Sequence, residues 1–241
     1  MAWFRRERPL RWAVVVASPS GEAGDQWGDT WFGRDLVEAL TRHGQKAKLV
    51  YRGGASSEAR DEDDVVLVLR GLRQVSPRRA GNTWLLWVIS AGARDAIAAG
   101  VPLGVYGVGW SEFIDAQYIR GEFLPNAEVP AAYAAAGMVL NDHWPEMAAD
   151  GFLSNRLFDA VASGARVVSD EAAGLREVFG DAVVTYSTPE QLRDILHAPF
   201  DTTFPDHERR IANAERIAQE HGFDARAAQL ISAAHEMRGS R

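Results

Sequence analysis

The feature that most constrains the fold is the segment from residue 141 to residue 180, together with the short apolar run at residues 137–140 that precedes it. The next strand is predicted inside the segment, at residues 166–169 (RVVS). Short runs that are apolar throughout and bounded by turn residues are typical of strands buried on both faces of a parallel sheet. Strands that alternate with helices indicate an α/β fold with right-handed crossovers.

Polar side chains follow both of these predicted strands. Asn141, Asp142 and His143 come directly after the first strand, and Asp170 stands at the carboxyl end of the second. In open α/β sheets, ligands bind outside the carboxyl ends of the strands. The segment therefore predicts a ligand site at this edge of the sheet.

The helix between the two strands is predicted to begin near Ser154 or Asn155, either of which can cap its free amides, and to end at Gly164. Asp159 shares a helix face with Asn155 and lies three residues after Arg156. A carboxylate there can accept hydrogen bonds from two vicinal hydroxyls of a sugar or ribose. The helix N-terminus and Arg156 could hold a phosphate. An exposed ion pair between Arg156 and Asp159 is an equal alternative.

His143 has two possible roles. Because no second histidine has a suitable spacing, the sequence predicts no metal site around it. Histidine titrates near neutrality, so His143 could act as a catalytic base or contact a sugar. The commoner alternative is a structural histidine whose ring is hydrogen-bonded within the protein.

Composition excludes several classes of function. The 241 residues suffice for one large or two small domains, and 46% of them are hydrophobic. The absence of cysteine excludes disulfides, thiolate metal sites and cysteine nucleophiles. A net charge of −7 provides no basic footprint for nucleic acid. With no apolar run long enough to span a bilayer and no signal-peptide pattern, we expect a cytoplasmic protein.

The rest of the chain continues the α/β pattern. The first helix is predicted at residues 31–43, with Asp29 or Thr30 as its cap. The eight strands, expected to be mostly parallel, are predicted at residues 12–17, 47–51, 64–69, 84–89, 103–106, 138–141, 166–169 and 182–186.

A glycine-containing loop follows the first predicted strand. Its glycines are Gly21, Gly24 and Gly28. The loop lacks the Walker lysine and the G-x-G-x-x-G spacing, so it carries no nucleotide-binding motif. Glycines that only permit a turn are the favoured interpretation. Close approach to a phosphate or an acceptor is the alternative.

Residues 158–168, FDAVASGARVV, resemble the donor-site segment of GT-B glycosyltransferases of group 1, whose pattern is LEAMASGTPVV. The wider run, with NRLFD at residues 155–159 and GLRE at residues 174–177, is similar to the CgeB-like branch of that group. In these enzymes two carboxylates separated by seven residues flank the helix, and the second contacts the ribose of the nucleotide sugar. Asp159 matches the second carboxylate.

The position of the first carboxylate is occupied by Gly151, and Asp150 is one place away. The resemblance implies a donor site made of Asp150, Asn155, Arg156, Asp159 and Gly174. It also implies that the loop with Gly21, Gly24 and Gly28 lies on the acceptor side. His143 and Arg156 are the candidate catalytic residues, and Arg156 would stabilise the departing diphosphate together with helix-end amides.

Near Ser90, the resemblance passes from the N-terminal domain of GT-B enzymes to their donor domain. It therefore implies two lobes of parallel, Rossmann-like sheets: an acceptor-side lobe at residues 1–90 and a nucleotide-sugar-binding lobe at residues 91–241 that carries the terminal helices. Compared with a full GT-B enzyme, the chain is shortened in the middle and the N-terminal lobe is truncated. A strand and a basic loop of the donor domain are missing, and Arg70 or Arg120 would have to replace that loop.

The function implied is metal-independent transfer of a sugar from a nucleotide-diphosphate sugar to a hydroxyl of an unidentified glycan, lipid or small molecule, with no other cofactor. The missing segment favours weak donor binding and slow or absent transfer. The alternative is a non-catalytic nucleotide-sugar-binding or interaction protein derived from a GT-B enzyme. A dinucleotide-dependent Rossmann enzyme is disfavoured because the glycine fingerprint is missing.

Overall fold

The computed structural model describes residues 8–52, 63–69, 92–101, 103–107, 110–143 and 145–239. Three sequence predictions lie outside these residues: the strand at residues 84–89, the domain boundary at Ser90 and the role of Arg70.

Strands and helices alternate along the described residues. The strands are β1 Arg11–Val15, β2 Lys46–Val50, β3 Val65–Val68, β4 Val105–Tyr106, β5 Ile119–Gly121, β6 Val139–Asn141, β7 Val167–Asp170 and β8 Val183–Tyr186. The helices are α1 Gly28–Arg42, α2 Gly92–Ala98, α3 Val129–Ala135, α4 Pro145–Asp150, α5 Asn155–Ala162, α6 Leu175–Phe179, α7 Pro189–His197, α8 Phe200–Thr203, α9 His207–His221 and α10 Phe223–Gly239. Short 3₁₀ turns lie at Trp110–Glu112, Ala116–Tyr118, Asn126–Glu128 and Gly180–Ala182.

The described strands pair in three sheets, and every pair is parallel. Their orders are β2-β1-β3, β4-β5 and β6-β7-β8. Parallel neighbours need a crossover connection, which helices such as α1 and α5 supply. The α/β class with parallel sheets predicted from the sequence is confirmed.

Two local predictions need correction. Strand β5 was not predicted, because the tripeptide Ile-Arg-Gly has too few apolar residues to form a recognisable pattern. Helix α1 begins at Gly28 rather than at residue 31, and its N-cap position is Trp27. Thr30 does not cap it, because the Thr30 hydroxyl is buried and bonds to Ser18 Oγ (2.6 Å) and to the carbonyl of Gly24 (2.7 Å).

The chain forms two compact units. The first contains residues 1–87 and 221–241, and the second contains residues 88–220. Helix α10 groups with the first unit because it packs on α1, where Phe32 and Phe223 meet edge to face with ring centroids 4.8 Å apart. The division into residues 1–90 and 91–241 remains a prediction.

The core of the first unit is built around β1. Its side chains from Trp12 to Val15 are at most 3% exposed, as expected for a strand covered on both faces. Leu36 and Leu40 of α1 pack against this strand, and Ala227 of α10 completes the cluster. No helix in the described part of the chain is both long enough and apolar enough to cross a bilayer.

Asp64, directly before β3, connects three parts of the first unit. Its side chain is 6% exposed and accepts hydrogen bonds from Arg8 Nη2 (2.9 Å), the backbone N–H of Arg11 (3.0 Å) and Arg238 Nη1 (2.8 Å). Burial opposes ionisation of this carboxyl. The bonds and charges of Arg11, Arg238 and Arg8 outweigh burial, so the pKa of Asp64 lies below its usual range.

We expect Asp64→Asn to lower the free energy of unfolding at pH 7 by about 1–3 kcal/mol, because it removes the charge from three hydrogen bonds. A depressed carboxyl pKa means that this stability is present above the unfolded-state pKa of about 3.9 and is lost as pH falls through the folded-state pKa. Urea titrations of both proteins at pH 7 and at pH 3 measure the difference, which should shrink at the lower pH.

Asp35→Asn, on α1, is a control that should not lower stability at pH 7. Burial raises the pKa of Asp35, and the charge of Glu38 adds to this effect, so its ionised form opposes folding. Asp35→Asn should leave stability at pH 7 unchanged or raise it. Equal losses for Asp35→Asn and Asp64→Asn would contradict the assignment of Asp64 as an ion-pair centre.

Candidate functional site

The carboxyl ends of β6 and β7 lie side by side because the strands pair with Asn141 opposite Ser169. Asn141 Nδ2 donates to Ser169 Oγ at 3.0 Å, and Ser169 Oγ donates to Asp170 Oδ1 at 3.2 Å. Asn141 and Ser169 are fully buried, whereas the Asp170 side chain is 24% exposed. A row of polar groups therefore runs from the core to the surface at the predicted edge.

His143 connects this row to the start of α5. Its backbone N–H donates to Asp170 Oδ2 at 2.9 Å, and its Nδ1 lies 2.6 Å from Asp170 Oδ1. On the other side of the ring, Nε2 accepts the backbone N–H of Ser154 at 3.2 Å. The side chain is 0% exposed. These contacts favour the structural interpretation of His143, because both ring nitrogens are bonded within the protein.

Helix α5 begins next to this contact, with Ser154 at the N-cap position. The Ser154 side chain makes no capping hydrogen bond, so the capping role predicted for its hydroxyl is not observed. At the other end, Gly164 has φ +71°, its N–H bonds to Val161 O, and Ala165 N–H bonds to Ala160 O. This is the Schellman pattern, and it confirms the predicted left-handed end at Gly164.

The packing of α5 decides which of its residues can meet a ligand. Leu157, Ala160 and Val161 are buried in the core of the second unit, and the ring of Phe158 lies 4.8 Å from that of Phe179. The opposite side carries the candidate residues. Asn155 and Arg156 are half-buried there, and Asp159 is exposed.

Tyr133 of α3 lies against these candidate residues. The Arg156 guanidinium is within hydrogen-bonding reach of the Tyr133 hydroxyl, and the Asp159 carboxylate is close enough to affect its ionisation. Burial raises the pKa of Tyr133, the bond and charge of Arg156 oppose this effect, and Asp159 adds to it. Helices α3 and α5 therefore bring a phenol, a guanidinium and a carboxylate together.

The loop before α5 contains Gly151, the loop between β7 and α6 contains Gly174, and Asp150 ends α4. Asp150 is exposed at the end of α4. Gly151 has φ +72°, and a Cβ there would lie 3.1 Å from the carbonyl oxygen of Ala173. Gly174 has φ +79° at the N-cap of α6, a conformation that favours glycine. Donor contacts by Asp150 and Gly174 remain predictions.

The glycine-containing loop of the first unit is a compact turn. Gly21 has φ +76°, and its carbonyl accepts the N–H of Gly24 at 2.8 Å. A Cβ at Gly24 would overlap the carbonyl of Pro19, whereas one at Gly28 would meet nothing within 4 Å. Backbone geometry thus accounts for Gly21 and Gly24, which supports the turn interpretation. Contact with an acceptor or a phosphate remains a prediction.

Carboxylates gather at the same edge of the β6-β7-β8 sheet. Burial raises the pKa of Tyr186 far above its usual range, and the nearby charges of Asp142, Asp170 and Asp95 raise it further. Within the described residues, no group of three or more acidic or histidine side chains is placed to hold a metal ion. The edge therefore combines several negative charges with the guanidinium of Arg156.

Two residues of this site were not among the sequence-predicted site residues. Tyr133 is the one large polar side chain in α3, whose sequence is VPAAYAA, and that contrast was the available signal. Asp170 was noted at the end of its strand, but its partner is 27 residues away. Which side chain it would meet was therefore not readable from local spacing.

The solved structure of AviGT4, a glycosyltransferase involved in avilamycin A biosynthesis, matches this chain with a TM-score of 0.58 and 16% identity. The match covers 97% of this chain and 99% of AviGT4. It confirms the predicted GT-B-like fold. The GtfA/B complex matches with a TM-score of 0.34 and 11% identity, over 97% of this chain and 37% of that one. No curated protein matches the sequence.

The model of the family described as glycosyl transferase-like matches residues 86–232. This range is more than half of the chain and includes the whole segment from residue 141 to residue 180. The CgeB-like branch and the shortening in the middle remain predictions. By this match, the chain belongs to the glycosyl transferase-like family.

Proposed function

We propose that this chain binds a nucleotide-diphosphate sugar at α5 and transfers the sugar to an acceptor hydroxyl without a metal ion. One observation carries the proposal. The half-buried Arg156 and the exposed Asp159 lie three residues apart on α5, and this helix begins beside the carboxyl ends of β6 and β7. That edge is where α/β sheets bind their ligands. Membership of the glycosyl transferase-like family supports a sugar-related substrate.

Recognition of the donor falls to Asp159 and Asn155. They lie four residues apart, so they share one face of α5. The Asp159 carboxylate can accept hydrogen bonds from both hydroxyls of a ribose, and the Asn155 amide can donate or accept beside it. Because Asp159 is exposed, a ligand can reach it.

Stabilisation of the leaving group falls to Arg156 and the first turn of α5. The first amides of a helix have no intrahelical acceptors, and they point toward any anion at the N-terminus. The Arg156 guanidinium, which lies near the Tyr133 hydroxyl, adds a positive charge. As the bond between sugar and diphosphate breaks, negative charge grows on the diphosphate, and donors fixed in advance stabilise that state most.

A second candidate is a nucleotide-sugar-binding or interaction protein that does not catalyse transfer. The negative charges of Asp95, Asp142 and Asp170 at the same sheet edge favour it, because they would repel a developing diphosphate anion. The two candidates differ in turnover and agree on donor binding. Separate measurements of binding and of transfer therefore distinguish them.

Donor binding should depend on the charge of Asp159. Asp159→Asn keeps the size of the side chain but weakens hydrogen bonds that contribute about 1.5–3 kcal/mol each when charged, so the donor Kd should rise at least tenfold. Calorimetric titration with a panel of nucleotide sugars measures this change, and the melting temperature should stay the same.

The exposed Asp201 of α8 offers a matched control, since Asp201→Asn makes the same chemical change away from α5. It should leave the Kd unaltered. An Asp159→Asn protein that binds every donor as the wild type does, or that unfolds, would assign Asp159 to the structure.

Transfer should depend on Arg156. With a radiolabelled sugar panel and an acceptor pool from cell extract, Arg156→Ala should lower turnover by about 100-fold or more, as removal of one transition-state donor does in other enzymes. Chelation of metal ions with EDTA should leave wild-type turnover unchanged.

Arg193→Ala is the control variant, because Arg193 is exposed on α7 and its nearest acidic partner is the neighbouring Asp194. Its turnover should equal that of the wild type. A wild-type chain that binds donor but transfers no sugar would support the non-catalytic candidate instead.

A further inference from the structure

Three segments that are distant in sequence meet at the ring of His143. Asp170 at the end of β7 bonds Nδ1, the backbone N–H of Ser154 bonds Nε2, and His143 itself follows β6. We propose that His143 is a positioning residue that fixes the start of α5 for donor binding and does not act as a catalytic base. This inference rests on the proposed function of α5.

The hydrogen bonds determine the state of the ring. Nε2 faces an N–H donor, so it must carry a lone pair and no proton. The ring proton therefore lies on Nδ1, where it is donated to the Asp170 carboxylate at 2.6 Å. His143 is a neutral imidazole in the Nδ1–H form, and Asp170 selects this tautomer.

The same contacts leave no nitrogen for acid–base catalysis. A general base must reach the proton that it removes, directly or through one water. The His143 side chain is 0% exposed, and the nitrogen that has a lone pair already accepts the Ser154 N–H. A substrate hydroxyl could reach it only if α5 moved away from β6.

The bridge acts on the residue that begins the helix. Ser154 is the N-cap of α5, and Arg156 and Asp159 follow within five residues. The Ser154 side chain makes no capping bond, so the bond from its N–H to His143 is what attaches the cap to the sheet edge. A small displacement of Ser154 would move the guanidinium and the carboxylate together, and such sites need tight positioning.

Asp170 holds the histidine in turn. Its two carboxylate oxygens accept the Nδ1–H and the backbone N–H of His143, and Ser169 Oγ donates to it as well. Since β6 and β7 pair in register, the sheet fixes Asp170, Asp170 fixes His143, and His143 fixes Ser154. Outer residues of this kind are known to orient the ligands of functional sites.

Two substitutions of His143 distinguish the role of its Nε2 contact from the role of its Nδ1 contact. The side-chain amide of His143→Gln can place an oxygen near the position of Nε2, which retains the acceptor for Ser154. The amide of His143→Asn can place a donor near the position of Nδ1, which retains the contact with Asp170 but not the one with Ser154. Both remove the imidazole, so any base catalysis is lost equally. His207→Gln and His207→Asn at an exposed position of α9 are the matched controls.

Hydrogen exchange without ligand tests the bridge itself. In the wild type and His143→Gln, the Ser154 amide should be protected, and in His143→Asn its exchange should be faster by about tenfold or more because its acceptor is gone. Calorimetric titration with the nucleotide-sugar panel tests the consequence. The donor Kd should rise about tenfold in His143→Asn and less than about threefold in His143→Gln.

The outcomes separate this inference from the function on which it rests. Equal donor Kd values for the two His143 variants, or a weaker Kd for His143→Gln than for His143→Asn, would overturn the positioning role. So would full donor binding with loss of turnover in His143→Gln when the wild type transfers sugar, since this result points to a base. A wild-type chain that binds no nucleotide sugar overturns the proposed function, and the binding role of His143 with it, whatever hydrogen exchange shows.

Discussion

The site depends on the pair of hydrogen bonds between His143 and Asp170. They join the ends of two neighbouring parallel strands. On the other side of the imidazole, Nε2 accepts the backbone N–H of Ser154. Backbone groups at strand ends and helix starts lack the partners that regular structure supplies. A buried, neutral imidazole can satisfy a carboxylate with one nitrogen and an amide with the other. One side chain thus connects the sheet to the helix that carries the candidate residues.

The electrostatic character of the edge follows from which groups the packing leaves charged. Arg156 lies within reach of the Tyr133 hydroxyl, and Asp159 is close to the same phenol. On the other side of the edge, Asp142 and Asp170 face Tyr186, which burial keeps neutral. Under the proposed function, the diphosphate of a donor would therefore be directed toward Arg156 and the N-terminal turn of α5.

Regular elements were largely readable from the sequence because local patterns produce them. Strands β2, β6 and β8, for example, overlap the runs predicted at residues 47–51, 138–141 and 182–186. The left-handed end at Gly164 was predicted from glycine alone. The failures were also local: the tripeptide of β5 has no apolar pattern, and Thr30 bonds to its loop instead of capping α1. Short elements and competing side-chain bonds are where pattern reasoning is weakest.

The sequence by itself determined the α/β class, the segment that carries the site and the spacing of Arg156 and Asp159, because strand runs, helix caps and helix faces depend on neighbouring residues. Only the tertiary structure decided what His143 contacts and what Arg156 meets. Their partners, Asp170 and Tyr133, lie 27 and 23 positions away along the chain. Such pairs form when parallel strands and packed helices bring distant residues together, so the spacing of neighbouring residues does not predict them.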